Sequence, residues 1–179
     1  MKKELLLDPC LDIVGHILPN HFVDRSEPSR AEHDAIRELA TGLGLSDGVV
    51  IYPEGTRFSL GKRERILARL EERGSHLLAA ASKLLHTLPP RVGGVAALLK
   101  GAPDADVVVC AHEGLSGLSN IRDLTSGTIV GRSVQVSFWR IPAHTIPRTE
   151  RDIEAWLFEL WAKVDDHTAL MRAAADEGS

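Results

Sequence analysis

The sequence predicts a single α/β domain in which a mostly buried mixed sheet is flanked by helices. Two runs, Gly48–Tyr52 and Ala105–Ala111, are short, continuous and apolar, as strands covered on both faces are. Segments with helical spacing of apolar residues alternate with them, which is the order an α/β layer structure needs. The chain has 179 residues, 44% hydrophobic and 26% charged, enough to bury one core. The domain is expected over residues 1–173, with 174–179 as a frayed tail.

Each element has its own signal. His21–Arg25 reads as a short strand. Ser26 or Ser29 then caps a helix over Ala31–Leu43, which Gly42, Gly44 and Asp47-Gly48 bring to an end. Gly48–Tyr52 is β-rich and stops at Pro53, as a buried strand would. Lys62–Arg73 is a charged helix closed by Gly74. Ser75–Leu88 places leucines at 77, 78, 84, 85 and 88, a helical stripe that halts before Pro89-Pro90. Ala105–Ala111 is the next strand. Ser133–Arg140 follows, alternating Val134, Val136 and Phe138. Thr149-Glu150-Arg151-Asp152 is a capping box. It opens a helix with Ile153, Trp156, Leu157, Leu160, Trp161 and Val164 on one face. Fewer strands are visible than a complete doubly wound domain contains.

Several function classes are excluded or disfavoured. A net charge of −4 gives no global footprint for nucleic acid. Two cysteines, Cys10 and Cys110, cannot build a disulfide framework, and the apolar neighbours of Cys110 suggest a buried thiol in a reducing, cytoplasmic compartment. No apolar run approaches the roughly 18 residues of a membrane span. Glu4, Asp8 and Asp12 interrupt the apolar start, which is not read as a signal peptide. Membrane contact is therefore expected to be peripheral, at the inner face of the cell membrane. No cluster has metal-ligand spacing, and there is neither a nucleophile elbow nor a nucleotide-type phosphate loop.

The informative segment is Val49-Val50-Ile51-Tyr52-Pro53-Glu54-Gly55-Thr56-Arg57. Gly55 permits a positive φ or a close backbone approach. Thr56 and the turn amides can donate to an oxyanion, and Arg57 offers a planar fork suited to phosphate. Pro53-Glu54-Gly55-Thr56-Arg57 resembles the "PEGTR" block of glycerolipid acyltransferases, the lysophosphatidate (1-acylglycerol-3-phosphate) acyltransferase family. Phe22-Val23-Asp24-Arg25 is similar to that family's "FIDR" segment, a few tens of residues upstream. The resemblance implies that Arg25 and Arg57 hold the acceptor phosphate, with Glu54, Gly55 and Thr56 lining the same site. It further implies transfer of an acyl group from acyl-CoA or acyl carrier protein to a glycerol-phosphate or lysophospholipid acceptor, with no metal or other cofactor. Asp106–Gly114 sits where the family has an apolar strand, though without the usual proline.

The family's base is the histidine of a His-x-x-x-x-Asp motif upstream of the "FIDR" block. None of the eight histidines here has an aspartate five positions on, so no catalytic residue is assigned. His33 with Glu38 is nearest in chemistry but follows Arg25 and is expected on an exposed helix face. Lys2–Asp8 reads as mid-domain sequence, which suggests an acyltransferase fold truncated at its N-terminus by a late start. A degraded gene remnant and a non-catalytic lipid- or anion-binding domain are the alternatives, as is an unrelated α/β enzyme with a chance Glu-Gly-Thr-Arg. The other reading of Arg25 is a structural ion pair with Asp24 or Glu54. Arg57, Lys62, Arg63, Arg65, Arg69 and Arg73 form a basic run. It is read as a solvated face paired to Glu64, Glu71 and Glu72, or else as a contact for anionic headgroups. Trp139, Trp156 and Trp161 are expected in the core or in a groove.

Overall fold

The computed structural model describes residues 30–114 and 134–177. The expected strand at His21–Arg25, the caps Ser26 and Ser29, Cys10 and Arg25 lie outside the described residues. Five helices, a two-stranded sheet and a 3-10 turn make up the regular structure described. They are α1 (Arg30–Leu39), α2 (Leu60–Glu72), α3 (Leu78–Ala81), α4 (Val92–Gly101), β1 (Val107–Glu113), β2 (Gln135–Ile141), the 3-10 turn Ala143–Thr145, and α5 (Glu150–Glu177).

The mixture of helices and sheet is as expected, but the sheet is not. It has two strands, antiparallel, with Val109 opposite Trp139 and Ala111 opposite Ser137. The period-2 alternation decides which side of this ribbon is covered. Val109 and Ala111 point inward and are buried, while Val108, Cys110 and His112 on the other face are exposed. On β2 the register turns Trp139 and Ile141 toward the core and leaves the Val136 and Phe138 alternation outside, with Phe138 66% exposed. So the sheet is half-buried, and the Cys110 thiol is exposed, contrary to the sequence expectation.

The core lies between the inner face of the ribbon and α4 and α5. Val95, Val109, Ala111, Leu157, Leu160, Val164 and Met171 form it, with Trp139, Trp156 and Trp161 packed against it. The apolar stripe expected on the last helix is the stripe that is buried: Ile153 and Leu157 are each 1% exposed. Thr149 caps that helix as its capping box requires, its Oγ1 accepting the Asp152 N–H at 3.2 Å. The helix continues past Ala173 to Glu177.

α1 packs on α4 at close range. A Cβ on Gly101 would lie 2.3 Å from the Arg37 carbonyl oxygen and 3.1 Å from Ala40 Cβ, so only glycine allows this approach. α2 ends as the sequence expects. The Ser75 N–H donates to Leu70 O and the Gly74 N–H to Glu71 O, both at 2.9 Å, with Gly74 at φ +57°.

Two expected elements are replaced. Ser75–Leu88 is not one helix; only Leu78–Ala81 is helical. Tertiary partners claim the backbone groups that a helix would have paired. Arg63 donates to the carbonyls of Ser82 and Leu84, and the Asp165 carboxylate accepts the N–H groups of Leu85, His86 and Thr87. Leu84 and Leu88 are buried all the same. Gly48–Tyr52 is not a strand. No described strand lies beside it to complete a ladder, and Val50 is 81% and Tyr52 78% exposed. Val49 is half-buried, and Ile51, though 36% exposed, places its Cδ1 3.2 Å from where a Cβ on Gly94 of α4 would be.

Candidate functional site

Pro53 presets the backbone of a tight turn in which the Gly55 N–H donates to the Tyr52 carbonyl at 2.9 Å. Gly55 continues the chain at φ +68°, a conformation that side chains resist. This turn separates its residues by role. Glu54 points inward, where its Oε2 accepts the Leu88 N–H at 3.1 Å. Burial pushes the Glu54 carboxyl above its ordinary range. The Leu88 N–H and the nearby Trp161 indole pull it down, and the Asp165 charge adds to the rise. Thr56 Oγ1 accepts from Lys62 Nζ at 3.0 Å, leaving its own proton to donate elsewhere. Lys62 Nζ also donates to the Arg57 carbonyl at 2.9 Å. The Arg57 side chain is exposed, and no ion pair joins it to a carboxylate among the described residues.

The segment after α3 holds the turn in place. Asp165, 5% exposed on α5, accepts Leu85 N–H at 2.9 Å and His86 N–H at 2.8 Å. It also accepts Thr87 N–H and the Thr87 hydroxyl, both at 2.7 Å. One buried carboxylate thus satisfies three backbone donors and a side chain, as buried charge demands. The next residue, Leu88, reaches Glu54, and the Arg91 N–H donates to Pro53 O at 2.9 Å. Arg91 also lays its guanidinium over Gly55: a Cβ there would meet Arg91 Nε and Cζ at 3.3 Å. Beside this segment, Arg172 pairs with Glu113 at 2.9 Å, approaches His86 Nδ1 at 3.2 Å and stacks over Phe58 at 5.8 Å.

Of the residues the sequence singles out, Glu54, Gly55, Thr56 and Arg57 lie together on this turn. Arg25 lies outside the described residues. Glu54 is engaged with Leu88. His33 and Glu38 are exposed on α1, as expected. In the basic run, Lys62 and Arg63 bond backbone and hydroxyl oxygens rather than glutamates, and Arg65 bonds the Gly61 carbonyl. Sequence reasoning missed Arg91 and Asp165. Asp165 had a signal: it falls four residues after Trp161, on the apolar stripe of the last helix, where an acid needs buried partners. Arg91 had none beyond the Pro-Pro before it. Among the described residues no group of His, Cys, Asp and Glu is placed to hold a metal ion, and no helix is long and apolar enough to cross a membrane.

Set beside protein-family models, curated proteins and solved structures, the chain matches none of them.

Proposed function

We propose that this chain is an acyltransferase-like domain of phospholipid synthesis whose Pro53–Arg57 turn binds the phosphate of a glycerol-phosphate or lysophospholipid acceptor. The acyl donor in this reading is acyl-CoA or acyl carrier protein. The fold in this reading is the acyltransferase fold suggested by the sequence resemblance. The observation that carries the binding role is the division of labour in the turn. Glu54 faces inward to Leu88, Lys62 braces Thr56 and the Arg57 carbonyl, and Arg57 is left exposed. An exposed guanidinium on a braced turn can bind an oxyanion without spending its affinity on ordering the backbone. The Thr56 hydroxyl proton and the Lys62 ammonium add donors beside it.

The reading assigns acceptor recognition to this chain and gives no residue the task of removing the hydroxyl proton. Exposed Arg65, Arg69 and Arg73 on the α2 side give the same site a basic flank toward an anionic membrane surface. The first test is calorimetric titration of the full chain with glycerol 3-phosphate, with glycerol as the uncharged control. Binding of the phosphate alone is expected, weakened about 10–100-fold by Arg57→Ala. Equal behaviour toward glycerol and glycerol 3-phosphate would sink the proposal. Incubation with acyl-CoA and lysophosphatidate then separates an enzyme from the non-catalytic anion-binding alternative, which predicts binding without transfer.

A further inference from the structure

We infer that Arg91 is the second guanidinium of the phosphate site, closing on the ligand from across Gly55; the inference rests on the acceptor-binding reading above. Arg91 is tied to the turn twice. Its backbone N–H donates to Pro53 O at 2.9 Å, and its guanidinium packs against Gly55, where a Cβ would meet Nε and Cζ at 3.3 Å. A side chain at position 55 would crowd this cation. Arg91 is exposed, and no ion pair connects it to a carboxylate among the described residues. The acid of the turn, Glu54, is engaged by the Leu88 N–H.

Three cations thus meet one short stretch of chain. Arg91 lies over Gly55, Lys62 holds Thr56 and the Arg57 carbonyl, and Arg57 follows. Like charges on one stretch of chain, with no carboxylate ion-paired to Arg57 or Arg91 among the described residues, repel one another, and an arriving anion relieves that repulsion while gaining their attraction. Two planar forks and an ammonium suit a phosphomonoester, which offers three acceptor oxygens and up to two negative charges. A neutral acceptor or a zwitterionic headgroup gains much less. The chemistry recognised is the terminal phosphate itself, whether on a soluble glycerophosphate or on a lysolipid headgroup.

The test compares Arg91→Gln, Arg91→Lys and Arg57→Ala in the full chain. Glycerol 3-phosphate is titrated calorimetrically, and phosphatidylcholine vesicles with and without lysophosphatidate are tested by flotation. Arg91→Gln should weaken glycerol 3-phosphate binding about tenfold or more and flatten its salt dependence. Arg91→Lys should fall between it and the wild type, since the charge stays and the fork is lost. Thermal unfolding should barely change, because the backbone bond to Pro53 survives both substitutions. A matching loss on lysophosphatidate vesicles supports a site for the shared phosphate. A loss confined to vesicles overturns the inference, because Arg91 would then be a general surface charge. If Arg57→Ala abolishes binding and both Arg91 variants bind like the wild type, Arg91 is only a prop for the turn and the inference fails while the acceptor reading stands. If the wild type does not bind glycerol 3-phosphate, the reading and the inference fall together. Should Arg91→Gln unfold, the Arg91→Lys titration decides alone.

Discussion

Val49–Tyr52 and Val107–Ala111 are two apolar runs of similar composition with opposite fates. The second finds a partner seven residues long in β2 and a helix to cover its inner face, and becomes a strand. The first has no described strand beside it, and most of its side chains face solvent. β-propensity measures how well a residue fits a pleated, half-covered surface, so it has little to act on where that surface is missing. The difference has a functional side. The unpaired run leads into the half-buried Pro53–Thr56 turn and the exposed Arg57, whereas the paired run anchors the core.

The sharpest way to break this contrast is at the core. Leu157→Ala should destabilise the protein by about 4 kcal/mol, since a fully buried leucine leaves a cavity. Denaturant unfolding measures it. Asp165→Ala should cost about 3 kcal/mol, because three backbone donors lose their shared acceptor. Its more telling effect is local: hydrogen exchange should speed up over Leu85–Leu88 and the Pro53–Arg57 turn more than over the ribbon. Equal acceleration everywhere would mean that Asp165 does not specifically join turn to core. Gly101→Ala forces α1 off α4 and should cost about 2 kcal/mol, by the same unfolding assay.

Two carboxylates extend the comparison to pH. Glu54, beneath the turn, is raised above its ordinary value of 4.5, chiefly by burial. Folding therefore favours its neutral form. That contribution is complete below about pH 4.5 and is lost as pH rises through the folded value. Asp106, at the start of β1, is lowered below 3.8 by the Ala143 N–H and by Arg140. Its contribution is present above the ordinary value and disappears as acid drives pH through the lower folded one. Stability measured between about pH 3 and 7 should lose its upper-range slope in Glu54→Gln and its acid limb in Asp106→Asn. The reverse assignment would contradict the environments described. The smallest effect belongs to the uncovered run: Val50→Ala should change stability by under about 0.5 kcal/mol.

What could be read from the sequence was what nearby residues determine. The glycine that closes α2, the Thr149 cap and the apolar stripe of α5 are local, and so is the alternation along β2. The Pro53–Arg57 turn was legible for the same reason, since a proline and a glycine fix it within a few residues. The alternation along β1 was not legible, because its run of apolar residues looks the same whether one face or both are covered. The misreadings share a cause. Arg63 and Asp165 come from other helices to take backbone groups in Ser82–Thr87, and no periodicity in Ser75–Leu88 announces them. Cys110 looked buried by its neighbours, but register placed it on the outer face opposite Phe138. Arg91 reaches Gly55 through folding alone, so no local motif announces it.

The exposed thiol of Cys110 has a practical consequence. It stands on the bare side of the ribbon, one residue from Val109 in the core on the opposite side. A spin label or fluorophore attached there would sit on the apolar skin of the ribbon without entering the interior. It would serve as a sensor of whatever settles on that surface, lipid or protein, while the Pro53–Arg57 turn is assayed independently.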